Sequence, residues 1–474
     1  MTPRSQRATP WAQRRVRRSD RFLRQGLVRA GMVVNAYRPM GNNPVTLVPA
    51  FFSSWLTTEG APALIATWGV RTAAQLRARR RTGRPLGTVD RVGLALTVGS
   101  AIGAVGLIRQ GQRAEEEYEA ALSSLIPAAD LDARPAAVRF GALLPLLNGN
   151  RRRRRTRNVR FTDRLPEHPV EGLSLDVYAP LDEPHPGEQR PAVLQIHGGA
   201  WVLGSKNEQG IPLLNHLASC GWVGFNIDYR LSPRSKFPDH LVDCKLALAW
   251  IREHAEEYGV DPDFIVVTGG SAGGHLCALM ALTQNDPDFQ PGFEDADTSV
   301  QAAVPFYGVY DLTDREDDYG NPLFVELLTR IVMGEGPEHA PESWAAYSPI
   351  DRVTEDAPPM FVIHGDKDVL VPVGGARRFV ELLRRRSRQP LVYAELHGAQ
   401  HAFEVFPSFR TVRTVEFVER FLHHVHARHL AASDDHEKLE PVPDDRDIEP
   451  MRADEVHAVE DVSVAARGGT PALD

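Results

Sequence analysis

The chain of 474 residues exceeds one typical domain, and its 42% hydrophobic and 24% charged residues exclude a chain that is disordered throughout. The net charge of -8 conceals a division, because the first 160 residues are rich in arginine and the last forty or so in aspartate and glutamate. Cys220, Cys244 and Cys277 are too few, and odd in number, for a disulfide framework, so we expect small buried side chains.

An apolar stretch at Val45–Val70 lies in the basic extension that we assign to residues 1–160. Pro49, Glu59 and Pro62 interrupt this stretch, which argues against a simple membrane-spanning helix. The residues before it lack the compact order of charged, apolar and small residues that marks a cleavable signal peptide, so we expect no cleavage.

A second apolar stretch, Val92–Ile108, contains no charged residue over 17 positions and lies between Arg91 and Arg109. Its Gly99-xxx-Gly103 spacing suits close helix packing in a membrane. At about 1.5 Å per residue it spans roughly 25 Å, slightly less than a hydrocarbon core of about 30 Å. We interpret it as a candidate transmembrane helix, with a buried hairpin of a soluble protein as the alternative.

The arginine-rich connector Arg71–Arg84 joins these two stretches and suits anionic lipid headgroups. We therefore expect the N-terminal region to associate with a membrane or the cell envelope, the alternative location being the cytoplasm. A further basic run, Arg151–Arg155, lacks the interleaved aromatic residues of a nucleic-acid-binding module. We interpret it as a solvated or headgroup-facing run and expect no nucleic-acid partner.

From about residue 190, short apolar runs alternate with helical segments, which is typical of a mostly parallel sheet flanked by helices. The expected strands are Ala192–Ile196, Val223–Asp228, Phe264–Thr268, Ala302–Tyr307, Met360–His364 and Leu391–Leu396. The expected helices are Pro238–Tyr258, His275–Thr283, Arg377–Arg386 and Thr411–His429. We predict an α/β fold, with a domain of this type at residues 161–430 and a disordered acidic tail at residues 431–474.

The segment Phe264–Gly274, FIVVTGGSAGG, carries the strongest signal for chemistry, because a β-branched run ends in Gly269-x-Ser271-x-Gly273 before a helical segment. This pattern is typical of a nucleophile elbow, in which a sharp strand-to-helix turn projects the serine hydroxyl and the glycines leave room for neighbouring backbone. A tight turn or a phosphate-binding loop is the alternative. We expect Ser271 to be the nucleophile.

The sequence HGGAW at residues 197–201 follows a predicted strand some seventy positions before that serine. A glycine-rich loop there offers the backbone N–H groups of Gly198, Gly199 and Ala200, of which we favour the last two. Together with the N–H of Ala272, they would form an oxyanion hole.

An acid and a histidine are expected after the serine, near the ends of later strands. In MFVIHGDKDVLVP, Asp366 and Asp368 compete, and we favour Asp368 because it begins the D-x-x-V-P turn. His401, in the loop after LVYAEL, is the predicted general base, ahead of His397. We expect His197 to hold its own loop by hydrogen bonds.

The motifs HGGAW, DYRLSP at Asp228–Pro233, GGSAGG, HGDKDVLVP and GAQHAF occur in an order that resembles the hormone-sensitive-lipase-like esterases and lipases of the α/β-hydrolase superfamily. The resemblance covers about residues 165–428 and implies an α/β-hydrolase fold, here preceded by a helical N-terminal extension. One departure is Ala200, where the family more often has a third glycine; its methyl group would restrict bulky acyl branches. The extension resembles that of some bacterial envelope-associated esterases.

The resemblance implies a serine carboxylic-ester hydrolase, an esterase or lipase that forms an acyl-enzyme on Ser271, with His401 moving the proton and Asp368 orienting the histidine. This chemistry uses no metal or organic cofactor, and the expected substrate is a small-molecule or lipid-like ester. A peptidase or amidase of the same fold is one alternative, although residues 1–160 lack the regular short strands of a propeller domain. A non-catalytic binding protein is another, and the intact triad residues argue against it.

The segment Asp314–Trp344 lies between two predicted core strands and mixes charged residues with an apolar run. It is either part of a cap over the acyl pocket or a helical excursion on the surface. The sequence leaves acyl chain length and oligomeric state open.

Overall fold

The central sheet contains eight strands within the described residues of a computed structural model. The described residues are 21–41, 44–83, 85–127, 153–162, 172–183, 187, 189–320, 322–406 and 408–437. The strands are β1 Arg153–Arg160, β2 Ser174–Pro180, β3 Arg190–Ile196, β4 Val223–Ile227, β5 Val260–Gly270, β6 Ala303–Phe306, β7 Met360–Gly365 and β8 Leu391–Leu396. Their order is β1-β2-β4-β3-β5-β6-β7-β8, and only the pairs β1/β2 and β2/β4 are antiparallel.

Helices precede the sheet and connect its parallel strands. They are α1 Arg21–Tyr37, α2 Pro44–Glu59, α3 Ala61–Arg81, α4 Thr88–Leu122, α5 Ile211–Ser219, α6 Asp239–Glu253, α7 Ala255–Tyr258, α8 Ala272–Leu282, α9 Pro322–Glu326, α10 Pro341–Ala346, α11 Gly374–Arg386 and α12 Phe409–Glu437. Short turns of 3₁₀ helix lie at Pro287–Phe289 and Pro349–Arg352, and a π-helical segment lies at Leu327–Met333. The mostly parallel, helix-flanked sheet that the sequence predicted is confirmed.

The core has two parts, one on each face of the sheet. Along β3, Leu194 packs with side chains of α6, α8 and α11, whereas Val193 packs with those of α4, α5 and α12. This division follows from the strand itself, because successive side chains point to opposite faces. The long apolar runs of the central strands therefore reflect burial on both sides.

Two strands, β1 and β2, were not predicted, and β1 includes part of the basic run. Arg153–Arg155 belong to this edge strand, in which Arg154 is exposed and Arg155 is partly buried, whereas residues 151 and 152 lie outside the described part of the chain. The guanidinium of Arg155 lies 2.5 Å from a carboxylate oxygen of Asp176 and 5.0 Å from the ring centroid of Tyr178, both on β2. Pairing and stacking thus hold an arginine-rich segment in the sheet.

Glycines bring α1 and α4 into close contact. A Cβ built on Gly93 would lie 2.3 Å from the carbonyl carbon of Phe22, and one on Gly26 would lie 2.5 Å from the Gly93 oxygen. Of the expected Gly99-xxx-Gly103 pair, only Gly103 packs in this way, since nothing lies within 4 Å of a Cβ on Gly99. Among the described helices, α4 is long and apolar enough to cross a membrane, and 28% of the residues in its apolar window are buried.

The interrupted stretch at Val45–Val70 forms two helices, α2 and α3, which are separated at Gly60. Glu59, at the end of α2, is buried against the guanidinium of Arg410 and accepts a hydrogen bond of 2.6 Å from Ser408. Burial raises the pKa of Glu59, and the charge of Arg410 opposes that shift. This group, the Glu59–Arg410 clamp, joins α2 to the start of α12.

The described residues from Arg21 to His426 form one compact unit, which contains both the N-terminal helices and the sheet, and residues 427–437 belong to a second. The expected acidic tail lies outside the described residues from 438 onward, whereas residues 431–437 belong to α12. Cys244 and Cys277 are buried, as expected of small apolar side chains, but Cys220 is exposed; within the described residues, none of the three forms a disulfide.

We expect Arg410→Met to lower the free energy of unfolding by about 3–5 kcal/mol, because it leaves the buried Glu59 carboxyl without its ion-pair partner. Urea denaturation of the purified full-length protein measures the effect. The control is Arg330→Met, which breaks an exposed pair with Glu326 and should cost less than about 1 kcal/mol. Equal costs for the two variants would show that the Glu59–Arg410 clamp does not support the fold.

Candidate active site

Ser271 lies at the turn between β5 and α8 in a strained backbone conformation. Its φ of 60° and ψ of -122° are unusual for a residue with a side chain. Its N–H donates to the Phe306 carbonyl at 3.0 Å, and its own carbonyl accepts from the His275 N–H at 2.9 Å. These bonds hold the turn, and the neighbouring strand β6 therefore fixes the position of the serine.

The glycines around Ser271 are required by close backbone contacts. A Cβ on Gly273 would lie 2.2 Å from the Ile196 carbonyl oxygen, and one on Gly269 would lie 2.4 Å from the Gly273 oxygen. Side chains at these positions would force β3 and α8 apart. The G-x-S-x-G spacing thus has the steric cause that the sequence suggested.

The HGGAW loop lies directly beside the serine. A Cβ on Gly198 would lie 3.0 Å from the Cβ of Ser271. Gly199, Ala200 and Trp201 follow with φ values of 125°, 52° and 59°, so the loop turns sharply through the left-handed region. The Gly198 N–H donates to Oε1 of Gln209 at 2.7 Å. This N–H was one of the predicted oxyanion-hole donors, and its hydrogen bond to Gln209 already occupies it.

His197 is buried beneath this loop. Its ring stacks on Tyr229 with centroids 4.3 Å apart, its Nδ1 lies 2.8 Å from the Gly198 oxygen, and its carbonyl accepts from the Tyr229 hydroxyl at 3.0 Å. Burial lowers the pKa of His197, which favours the neutral ring. These contacts suit a residue that supports the loop.

Asp368 and His401 meet at the ends of β7 and β8. Nδ1 of His401 lies 2.6 Å from Oδ2 of Asp368, and both side chains are almost fully buried. The other carboxylate oxygen accepts from the N–H groups of Leu370 and Val371 at 2.9 and 2.8 Å. Burial alone would raise the pKa of Asp368, but His401 and a hydrogen bond from His364 lower it to about 2. An ionised Asp368 therefore fixes the His401 tautomer with the proton on Nδ1.

The competing residues form a different pair. Nδ1 of His397 lies 2.9 Å from Oδ2 of Asp366, and the His397 side chain is exposed. Asp366 also accepts from the Gly398 N–H at 2.7 Å and so braces the loop that leads to His401. Among the residues that the structure describes, neither Asp366 nor His397 forms a side-chain hydrogen bond with Asp368 or His401.

Tyr307 connects the histidine to the serine turn. Its ring centroid lies 4.5 Å from that of His401, and its hydroxyl would be 2.7 Å from a Cβ on Gly270, the residue before the serine. The hydroxyl donates to the buried carboxyl of Glu404, whose Oε2 has no hydrogen-bond partner among the described residues. Burial raises the pKa of Glu404 to about 7. Neither residue was predicted from the sequence, although Glu404 follows the predicted histidine by three positions.

Helix α2 contributes side chains to the site that were not predicted from the sequence. Phe51 lies edge-on to His401 with ring centroids 6.1 Å apart. Trp55 donates its indole N–H to the Ala402 carbonyl at 2.7 Å and stacks on Phe406 at 4.6 Å. An N-terminal helix therefore forms a wall against the histidine loop. Glu59 is the one acidic residue of the Val45–Val70 stretch, and a carboxyl group within an apolar helix needs a polar partner when it is buried. This residue was the feature of the sequence that could have predicted a buried contact of α2.

Gln400 joins the three parts of this site. Its Oε1 accepts from the Val369 N–H at 2.9 Å and from the His401 N–H at 3.0 Å, and its Nε2 donates to the Ser54 hydroxyl at 3.4 Å. The loop of the aspartate, the loop of the histidine and α2 are thus tied together by one buried amide. Among the described residues, no group of three or more His, Cys, Asp or Glu side chains is arranged to hold a metal ion.

Comparison with known proteins identifies the family. The BD-FAE family matches residues 175–383. The probable carboxylic ester hydrolase LipM of Mycobacterium tuberculosis is 43% identical over 417 residues, which cover 86% of this chain and 94% of that protein. The chain belongs to the hormone-sensitive-lipase-like esterases of the α/β-hydrolase superfamily. It is a carboxylic ester hydrolase, as the sequence predicted.

Two further esterases extend the comparison. Esterase LipQ of Mycobacterium tuberculosis is 39% identical over 388 residues, 80% of this chain and 88% of that protein, and esterase LipC of the same organism is 45% identical over 253 residues, 53% and 62% of the two chains. Because the match to LipM covers 86% of this esterase, it includes α4 whichever terminus it omits. The similarity thus extends beyond the α/β sheet.

We expect Gly273→Ala to abolish ester hydrolysis and to lower the melting temperature, because the new methyl group would meet the carbonyl oxygens of β3. The control is Gly31→Ala, on an exposed part of α1 where nothing lies within 4 Å of a Cβ. That change should be neutral or stabilise by up to about 1 kcal/mol. Thermal unfolding and hydrolysis of a soluble ester distinguish the two, and an active Gly273→Ala variant would refute the steric explanation.

We expect Glu404→Gln to make the protein more stable than wild type as the pH rises. The pKa of this carboxyl group is about 7 in the folded protein and 4.5 in the unfolded chain, so the folded protein resists its ionisation. The group therefore leaves the free energy of unfolding unchanged below pH 4.5 and lowers it by the full amount above pH 7. The difference in unfolding free energy between variant and wild type should therefore grow across this window, by about 3 kcal/mol, and then level off. Urea denaturation at several pH values measures it, and a constant difference would contradict the buried, raised pKa.

Proposed function

We propose that Ser271, His401 and Asp368 form the catalytic triad of this ester hydrolase and that hydrolysis proceeds through an acyl-enzyme on Ser271. The observation that carries the proposal is the buried 2.6 Å contact between His401 and Asp368, next to a serine held on a strained turn. Tyr307 supports it, because this ring lies against the histidine while its hydroxyl lies beside the serine turn.

In the proposed mechanism, Nε2 of His401 takes the hydroxyl proton as the oxygen of Ser271 attacks the ester carbonyl. Asp368 keeps the Nδ1 proton in place and stabilises the imidazolium that forms. The imidazolium then gives its proton to the departing alcohol. Water, deprotonated by the same histidine, then attacks the acyl carbonyl. The imidazolium returns that proton to the Ser271 oxygen as its bond to the acyl group breaks and the acid leaves.

We propose that the N–H groups of Gly199, Ala200 and Ala272 bind the oxygen of the tetrahedral intermediate. Gly198 is left out because its N–H is engaged by Gln209. Ala272 is the first residue of α8, where the N–H groups at a helix N-terminus have no partner within the helix and favour developing negative charge.

We further propose that the esterase associates with a membrane of the cell envelope through its N-terminal helices. The length and apolar composition of α4 support this location over the cytoplasm. Lipid-like esters are then the natural substrate class, and short soluble esters are convenient probes of the same chemistry.

We expect Ser271→Ala to lower kcat on p-nitrophenyl butyrate by at least about 10⁴-fold, because no other group can form the acyl-enzyme. Asp368→Asn should lower it by about 10⁴-fold through loss of the productive histidine tautomer. A fluorophosphonate label located by mass spectrometry should lie on Ser271 in wild type and be absent from the alanine variant. The control is the exposed Ser123→Ala, which should change nothing. Retained hydrolysis in Ser271→Ala, or a label elsewhere, would overturn the proposed triad.

A further inference from the structure

Helix α2 has two faces with different surroundings. One face carries Phe51, Trp55 and Glu59, which contact the loop of His401. The other face carries Val45, Val48, Phe52 and Leu56, which are exposed to solvent and follow one another at helical spacing. We call these four residues the α2 stripe. A regular row of exposed apolar side chains is costly in water and marks a surface that contacts something apolar.

The α2 stripe belongs to a larger apolar surface. Fourteen of the nineteen exposed large hydrophobic side chains in the described residues lie between positions 27 and 105, so this surface is confined to the N-terminal helices. On α4 the exposed set includes Val92, Val98, Ile102 and Val105. The sheet domain contributes few such side chains, and its surface is the ordinary one of a soluble protein.

The charges on these helices indicate which apolar partner is favoured. Residues 21–109 contain twelve arginines, no lysine and only two acidic residues, Glu59 and Asp90. Both acidic side chains are buried and paired with arginines, so the exposed charge of the described part of residues 21–109 is positive. The four glutamates of α4 lie beyond this segment, at positions 115, 116, 117 and 119. A second copy of the chain would bring two surfaces of the same sign together. A bilayer with anionic headgroups instead offers opposite charge beside an apolar layer.

Aromatic side chains connect the α2 stripe to the catalytic histidine. The ring centroid of Phe52 lies 5.0 Å from that of Phe51, and Phe51 in turn lies against His401. A row of ring contacts therefore joins the exposed face of α2 to the histidine of the proposed triad. Its apolar side chains suit contact with a long acyl chain.

We propose that the α2 stripe lies in the apolar layer of an anionic bilayer and that the substrate is an ester dissolved in that bilayer, which reaches Ser271 along α2. The inference rests on the proposed triad, because the path is useful only if Ser271 and His401 perform the hydrolysis. It goes further by assigning the substrate to the lipid phase and by giving α2 two roles, as wall of the site and as membrane contact.

The test compares soluble and bilayer-dissolved esters in the full-length protein. The variant is Val48→Ser/Leu56→Ser, with side chains 53% and 47% exposed, and the control is Leu181→Ser/Leu430→Ser, at 55% and 47%. The substrates are p-nitrophenyl acetate in solution and 4-methylumbelliferyl oleate in vesicles of phosphatidylcholine with about 30% phosphatidylglycerol. Vesicle co-sedimentation measures binding directly.

We expect the α2 variant to keep its rate on the soluble ester within about twofold and to lose at least about tenfold in both vesicle binding and vesicle-ester hydrolysis. The control variant should match wild type in all three measurements. An α2 variant that binds and hydrolyses like wild type on vesicles overturns the inference, and so does an equal loss on both substrates. A wild-type dimer that the α2 variant converts to monomers, with vesicle binding unchanged, would also overturn it and assign the stripe to a second copy. Failure of the proposed triad is recognised separately, since Ser271→Ala would then still hydrolyse p-nitrophenyl acetate.

Discussion

The buried hydrogen bond between Asp368 and His401 requires that two loops, at the ends of β7 and β8, stay at a fixed separation. Backbone N–H groups hold one carboxylate oxygen, and the amide of Gln400 spans both loops. A bond of this length in a buried site is sensitive to small displacements, since a misplaced imidazole loses both its tautomer and its direction. The surrounding packing therefore serves chiefly to immobilise the His401 loop, since a surface loop without such contacts is mobile.

Much of that packing comes from outside the α/β sheet. Ser54 meets Gln400, Trp55 meets the backbone of Ala402, and the Glu59–Arg410 clamp fixes the start of the last helix. The N-terminal helices therefore supply part of the framework of the candidate site. The extension is thus a structural component of the site, in addition to the membrane role that we propose for it.

The sequence predicted β3 to β8 because each is a short apolar run, a pattern that depends only on local composition. These strands are buried on both faces except for the edge strand β8, in which alternate side chains are half-buried. It also predicted Ser271, Asp368 and His401 as site residues. The turns that carry such residues need glycine or proline at fixed positions, and these are visible in a single sequence. β1 escaped prediction because an edge strand of arginines lacks apolar alternation and is held by Asp176 and Tyr178. The contacts of α2 escaped because they join residues some 350 positions apart, and single-sequence periodicity carries no record of a distant partner.

The Glu59–Arg410 clamp has a consequence for how the protein is made. It joins residues separated by 351 positions, so Glu59 leaves the ribosome long before Arg410. Such non-local contacts form late, after most of the intervening chain has folded. A nascent chain can therefore build the sheet and expose its serine well before the histidine loop is secured. Hydrolytic competence would arrive at the final stage of biogenesis, when the N-terminal helices are already in place to receive that loop.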